Sequence, residues 1–180
     1  MKAVGVWEGI WEEVTLPHTW NARDMQVKAN NFYQGVGYYR KTYIFPAEWH
    51  EKRLYFRFEG VGACCEVYVN GRLVGTHRGA YSAFVVEIQE EVKFGESNVK
   101  VDNSMRLDVI PVNHNLFGVY GGIYRPVSLI VTERYNIAVT DHASPGVYIT
   151  QKNISQNSAD ICVQVKLDNV TFQSVPVVLE

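Results

Sequence analysis

The chain has 180 residues, 47% of them hydrophobic and 20% charged, with a formal net charge of −2. That length holds one ordinary domain, or one domain and the start of another, and the composition is globular rather than disordered. Interspersed charges exclude a basic face for nucleic acid or anionic membrane, and no apolar run approaches the roughly 20 residues of a membrane helix.

The first fourteen residues, MKAVGVWEGIWEEV, carry one lysine and no sustained apolar core, so they do not read as a signal peptide. The compartment stays open between cytoplasm and periplasm. Residues 11–21, WEEVTLPHTWN, read as a short strand ending at Pro17, then a loop bearing His18, Trp20 and Asn21. Residues 21–31 are polar and irregular, a surface loop by composition.

Residues 38–45 alternate aromatic and β-branched side chains with charged ones and stop at Pro46, the pattern of a strand. Residues 52–61 repeat it, with Leu54, Phe56 and Phe58 on one side and Tyr55, Arg57 and Glu59 on the other. Residues 65–69 and 72–77 flank Asn70-Gly71, a pair that tolerates the positive φ angles of a type I′ turn and so marks a hairpin. Within it Cys65, Val67 and Val69 share the core face.

Three cysteines are an odd count. Cys64 and Cys65 point to opposite faces of a strand and are badly placed to bridge each other, and CCEV lacks the paired spacing of a zinc site. Buried free thiols are expected, with no metal and no cofactor.

Further on, residues 83–88 form a strand, 89–94 allow one helical turn, 94–98 are a turn and 99–102 a short strand. Residues 113–127, NHNLFGVYGGIYRPV, pass from polar groups through aromatics to Gly121-Gly122, where missing side chains let a backbone or ligand come close. A strand over 123–133 follows, then strands over 136–141, 146–152, 159–167 and 175–179. No window holds a sustained 3.6-residue period. Many short strands with turn signals between them predict an antiparallel β-sandwich. Residues 1–135 suffice for one sandwich. Residues 136–180 offer too few strands for a second and read as the beginning of an immunoglobulin-like one, whose unpaired edge favours association into a homo-oligomer.

Several strings stand in a fixed order: VTLPHTWN (14–21), GYYRKTYIFP (37–46), RLYFRFEGV (53–61), EVYVNGRLVGTHRGAYSAF (66–84), VDNS (101–104), YGGIYRPVSL (120–129) and DHASPGVYI (141–149). Together they resemble the N-terminal sugar-binding domain of family 2 glycoside hydrolases, the β-galactosidase and β-glucuronidase group. The resemblance covers nearly all of residues 11–150. It implies a jelly-roll sandwich, in the manner of galactose-binding domains, followed by the first strands of an immunoglobulin-like sandwich and, in the family, a catalytic (β/α)₈ barrel. Family members are retaining enzymes whose two catalytic glutamates lie about 5–5.5 Å apart in that barrel. A barrel needs at least about 200 residues, so no residue of this chain is assigned to catalysis.

In the family the jelly roll reaches into the first sugar subsite with a polar, usually acidic, residue shortly before the GGIYR-like string. The matching positions are His114 and Asn115, with Asn115 the better match. Asn in place of an acid removes the charge and adds a donor, which weakens a cation contact present in some relatives. A second family contact falls nearest Gln34. Tyr120 is placed equally by sugar stacking and by loop packing, and Phe117 by packing. Arg125 is expected in a loop-bracing bond or buried ion pair, and His18 and Trp20 at a domain interface. A short SNVKVDNS run departs from the longer strand of relatives. The implied role is a non-catalytic module that shapes the first subsite and supports the barrel, with a β-galactosidase the first choice of parent. A β-glucuronide or β-mannoside remains compatible. Its partners are a β-glycoside and the parent's barrel. An independent lectin-like module and a purely structural one are the competing roles.

Overall fold

A computed structural model describes residues 2–4, 11–22, 35–95, 101–110, 121–171 and 173–178. Its strands are β1 (Lys2–Val4), β2 (Glu12–Glu13), β3 (Gly37–Tyr43), β4 (Arg53–Phe58), β5 (Cys64–Val69), β6 (Arg72–Arg78), β7 (Phe84–Glu87), β8 (Asn103–Ile110), β9 (Val127–Thr132), β10 (Tyr135–Ile137), β11 (Val147–Lys152), β12 (Asp160–Val165) and β13 (Leu167–Asn169). Single 3₁₀ turns occupy Ala47–Trp49 and Gln89–Glu91. A six-stranded sheet runs β2-β1-β3-β8-β5-β6 and faces a three-stranded sheet, β7-β4-β9. Two further antiparallel pairs, β10-β13 and β11-β12, follow. The all-β sandwich is the architecture the alternating patterns require.

Period-two alternation decides which faces meet. Tyr39, Leu107 and Val67 lie on one cross-strand rung of the larger sheet and point inward, as do Val109 and Cys65 on the next. Leu54, Phe56 and Phe58 of β4 oppose them from the smaller sheet, each no more than 1% exposed. Burying side chains of this size stabilises the fold by about 1.5–3 kcal/mol apiece. The sheets pack tightly at Gly75, where an added Cβ would fall 2.9 Å from both methyl groups of Val86.

The Asn70-Gly71 hairpin forms as its residues demand, with φ angles of 49° and 85°. Asn70 does more than turn. Its amide donates to Glu91 O and to Asn103 Oδ1, and its Oδ1 accepts from Ser104 N. Asn103, 2% exposed, also accepts from Lys93 N and donates to Lys93 O. The asparagine of the VDNS string therefore ties the hairpin to the entry of β8.

Three expectations change. The short strand expected over 99–102 is not found at its described residues: 101 and 102 are outside any strand, and β8 begins at Asn103. β8 is central, paired with both β3 and β5. Met105, Leu107 and Val109 carry the alternation that marks it, partly disguised by the charged residues between them in sequence. The strand before Pro17 shrinks to Glu12–Glu13, because Val14 and Leu16 pack against the core from a loop. Residues 174–178 form no strand.

The outer face of β4 is covered too. Arg53 is 6% and Tyr55 0% exposed. Arg53 reaches Asn136 and Asp168, and Arg57 donates to Ala143 O, so residues 134–170 lie over the smaller sheet as a third layer. Asp141 fixes the connecting turn by accepting from Tyr148 and pairing with Lys166 at 2.8 Å. Beyond this layer Ile149, Ile161 and Val163 remain exposed at 64%, 56% and 56%, all on one face of the β11-β12 hairpin.

Candidate functional site

The strand directions collect one set of connections at one end of the sandwich. β4, β6 and β8 finish there, and β3, β5, β7 and β9 start there. The four residues singled out for sugar contact, Gln34, His114, Asn115 and Tyr120, lie outside the described residues, as does Phe117. Their described neighbours in sequence, Gly35, Ile110 and Gly121, belong to this end.

The Gly121-Gly122 pair is the hub. Trp20 lies flat between two glycines: a Cβ on Gly37 would stand 2.3 Å from its ring, and one on Gly121 would stand 2.2 Å from it. Gly122 has φ +120°, and a Cβ there would meet His18 O and the Tyr39 hydroxyl at 2.6 Å. Both glycines are thus required, the first by contact and the second by backbone conformation as well. What comes close at the pair is not a ligand but the indole and backbone of the segment after Pro17.

That segment is stitched to the pair along its length. His18 N donates to Ile123 O at 2.7 Å, and Thr19 Oγ1 donates to Gly121 O at 2.8 Å. Gly121 N donates to Asn21 Oδ1 at 2.8 Å, and Asn21 is only 1% exposed. From the other side Gly62 N donates to Gly122 O. Thr19 and Asn21 went unassigned from sequence, although VTLPHTWN carries both. His18 and Trp20, expected at a domain interface, instead brace this turn from within.

Beneath it, His18 Nδ1 lies 2.8 Å from the Tyr39 hydroxyl, and Trp20 stacks on the Tyr39 ring at 6.2 Å. Burial lowers the His18 pKa against the opposing charge of Glu12. Burial also raises that of Tyr39, against a hydrogen bond from the Ile123 backbone. Both shifts favour the neutral forms, so the hydrogen bond joins a phenol to an uncharged imidazole. The pair braces the turn from beneath.

The neighbouring loop is held as firmly. Tyr124 donates to Ala80 O, and Arg125 Nη1 lies 3.5 Å from Tyr81 O. His77 Nε2 donates to Gly79 O at 3.1 Å while its ring stacks on Phe84 at 4.1 Å. Arg125 braces a loop, as expected, but from an exposed position and not in a buried ion pair.

A groove of about 570 Å³ exists at the opposite end, lined by Lys52, Arg53, Glu87, Gln89, Glu90 and Arg134 among others. Within it Arg53 pairs with Glu87 at 2.9 Å, and its walls come from the smaller sheet, from Leu73 and Val74 of β6 and from Arg134 and Val170. Among the described residues no group of His, Cys, Asp or Glu is gathered for a metal ion. No helix among them is long and apolar enough to cross a membrane. All three cysteines are free, Cys65 buried and Cys162 exposed.

A family model described as glycosyl hydrolases family 2, sugar binding domain, matches residues 4–133. A beta-glucuronidase of Bacteroides fragilis is 42% identical over 165 residues, which cover 90% of this chain and 24% of the relative. A beta-galactosidase of Thermoanaerobacter pseudethanolicus is 31% identical over 161 residues, 87% of this chain and 21% of the relative. A crystal structure from Bacteroides fragilis that carries a provisional beta-galactosidase name superposes with a TM-score of 0.84 at 60% identity, covering 93% of this chain and 25% of that one. The chain spans a quarter or less of the length of each of these relatives.

Proposed function

The chain belongs to family 2 of the glycosyl hydrolases, as the sugar-binding domain of that family, and from this premise we propose that it is the non-catalytic module that completes the first sugar subsite of a retaining β-glycosidase. The rest of such an enzyme supplies the barrel and both catalytic carboxylates. The observation that carries the reading is the clamp of His18, Thr19, Trp20 and Asn21 on Gly121-Gly122. It fixes the backbone of Gly121 and Gly122, immediately after Tyr120 in the chain and C-terminal to His114 and Asn115, and a recognition loop needs a fixed anchor to position its side chains. Asn115 is the proposed hydrogen-bonding partner of a sugar hydroxyl, with His114, Gln34 and Tyr120 around it.

Residues 136–180 are proposed as the opening strands of a second sandwich that docks on the first. Two paired strands and an apolar hairpin face with 64% of Ile149 in solvent support this, because such a face gains stability only when another layer covers it. The parent's substrate is proposed as a β-galactoside or a β-glucuronide, since the relatives include enzymes named for each.

The test has two arms. The chain alone, assayed with chromogenic β-galactoside and β-glucuronide, is expected to give no turnover; activity that survives purification overturns the non-catalytic assignment. In the longer enzyme, Asn115→Ala is expected to lower kcat/KM about tenfold or more, as loss of a hydrogen bond to a buried sugar group does. Unchanged kinetics would remove Asn115 from the subsite.

A further inference from the structure

Tyr81 is 67% exposed, the most exposed aromatic side chain described in the first sandwich. It sits on a short loop whose backbone is anchored at nearly every residue. Gly79 N donates to Ala63 O, and Gly79 O accepts from His77. Ala80 O accepts from Tyr124, and Tyr81 O faces Arg125 Nη1 at 3.5 Å. Gly79, at φ +142°, has Ser82 Oγ 2.8 Å from where a Cβ would stand, so the loop cannot take a larger residue there and keep its shape. A large ring left in water on an immobile loop is set up for contact at little further entropic cost.

Arg125 stands beside it. Its guanidinium lies 5.6 Å from the centre of the Tyr124 ring, and the nearby carboxylate whose charge it feels, Glu59, is hydrogen-bonded to Arg57 at 2.6 Å. Gly60 permits this placement, since a Cβ there would fall 2.9 Å from both Arg125 Cδ and the Tyr124 hydroxyl. One aromatic face and one exposed guanidinium therefore share the end of the sandwich that carries the Gly121-Gly122 turn.

We propose that Tyr81 and Arg125 form a contact site for a saccharide bearing a carboxylate. The CH face of the sugar ring lies on Tyr81, and the carboxylate accepts hydrogen bonds from Arg125, whose planar fork suits that group. One ring and one cation suit a sugar unit. A protein partner requires about 800 Å² on each side, whereas two side chains make up this patch. The proposal rests on the sugar-facing reading of this end but assigns residues and a charge preference that the family match does not.

The test is amide NMR of the chain titrated with methyl β-D-glucuronide, methyl β-D-glucoside and sodium acetate. Glucuronide is expected to shift Tyr81 and Arg125 signals with a Kd about tenfold below that of the glucoside, the worth of one charge-assisted hydrogen bond. Arg125→Gln is expected to abolish that preference, Arg125→Lys to restore part of it, and Tyr81→Ala to weaken both sugars. All three substitutions fall at exposed positions, and an unchanged remainder of the spectrum certifies the fold. Equal response to both sugars, no response at these residues, or acetate acting as strongly as glucuronide would each overturn the proposal. Neutral-sugar shifts confined to Gly121 and Gly122 would sink it while leaving the proposed subsite standing.

Discussion

Arg53 and Glu87 meet side by side, Nε to Oε1 at 2.9 Å and Nη2 to Oε2 at 3.0 Å, on the face of the smaller sheet that points away from the core. The same guanidinium lies 3.5 Å from Asp168, so one buried cation joins adjacent strands of the sandwich to the layer laid over them. The bond to Glu87, more than any other influence, holds Arg53 firmly protonated.

Replacing Arg53 with Ala is expected to destabilise the chain by about 3 kcal/mol, because Glu87 and Asp168 are left facing each other without a cation in a partly desolvated seam. Denaturant unfolding measures the loss. Hydrogen exchange should localise it to β10 and β13; uniform loss of protection across β4 and β8 would contradict the bridging role.

Trp20 and Gly121 predict a coupled pair. Gly121→Ala alone should cost about 1–3 kcal/mol by forcing the indole out of its slot. In a Trp20→Ala background the slot is empty, so the second substitution should cost about 1 kcal/mol less than it does alone. Additive costs in a double-mutant cycle would show that the ring yields freely.

His77 sets a pH dependence. Burial holds its pKa below the ordinary 6.5, against the hydrogen bonds to Gly79 and Ser82 that raise it. The unfolded chain therefore takes up a proton before the folded one does. The stabilising contribution is complete above about pH 6.5 and is lost as pH falls through the depressed folded value. The melting temperature should drop between about pH 7 and about pH 5, less so in His77→Gln, with His18 giving the remaining slope in the same direction. A flat wild-type profile would refute this.

The cysteines should separate by reactivity. Cys162 is exposed, whereas burial pushes the Cys65 thiol up to about 12. A thiol reagent at neutral pH should modify Cys162 in the folded chain and reach Cys65 only on unfolding, since the thiolate is the reacting form. Early modification of Cys65 in Cys162→Ser would mean that the sheets part readily.

The all-β class, the Asn70-Gly71 hairpin and the inward faces of β4 and β5 were legible in the chain itself, because a strand's alternation and a turn's tolerance of positive φ are local properties. β8 was the exception among core strands. Its alternating Arg106 and Asp108 and the polar VDNS entry look like surface until β3 and β5 are set on either side.

What only the tertiary structure decided were relations between distant segments. Sequence marked Gly121-Gly122 as a place of close approach but not what approaches, and Trp20 lies about a hundred positions away. It placed Tyr55 on the side opposite Leu54, Phe56 and Phe58, and it took residues 134–170 folding back over that side to bury it along with Arg53. Local patterns specify which way a side chain points, while what it meets there depends on chain segments that no local pattern encodes.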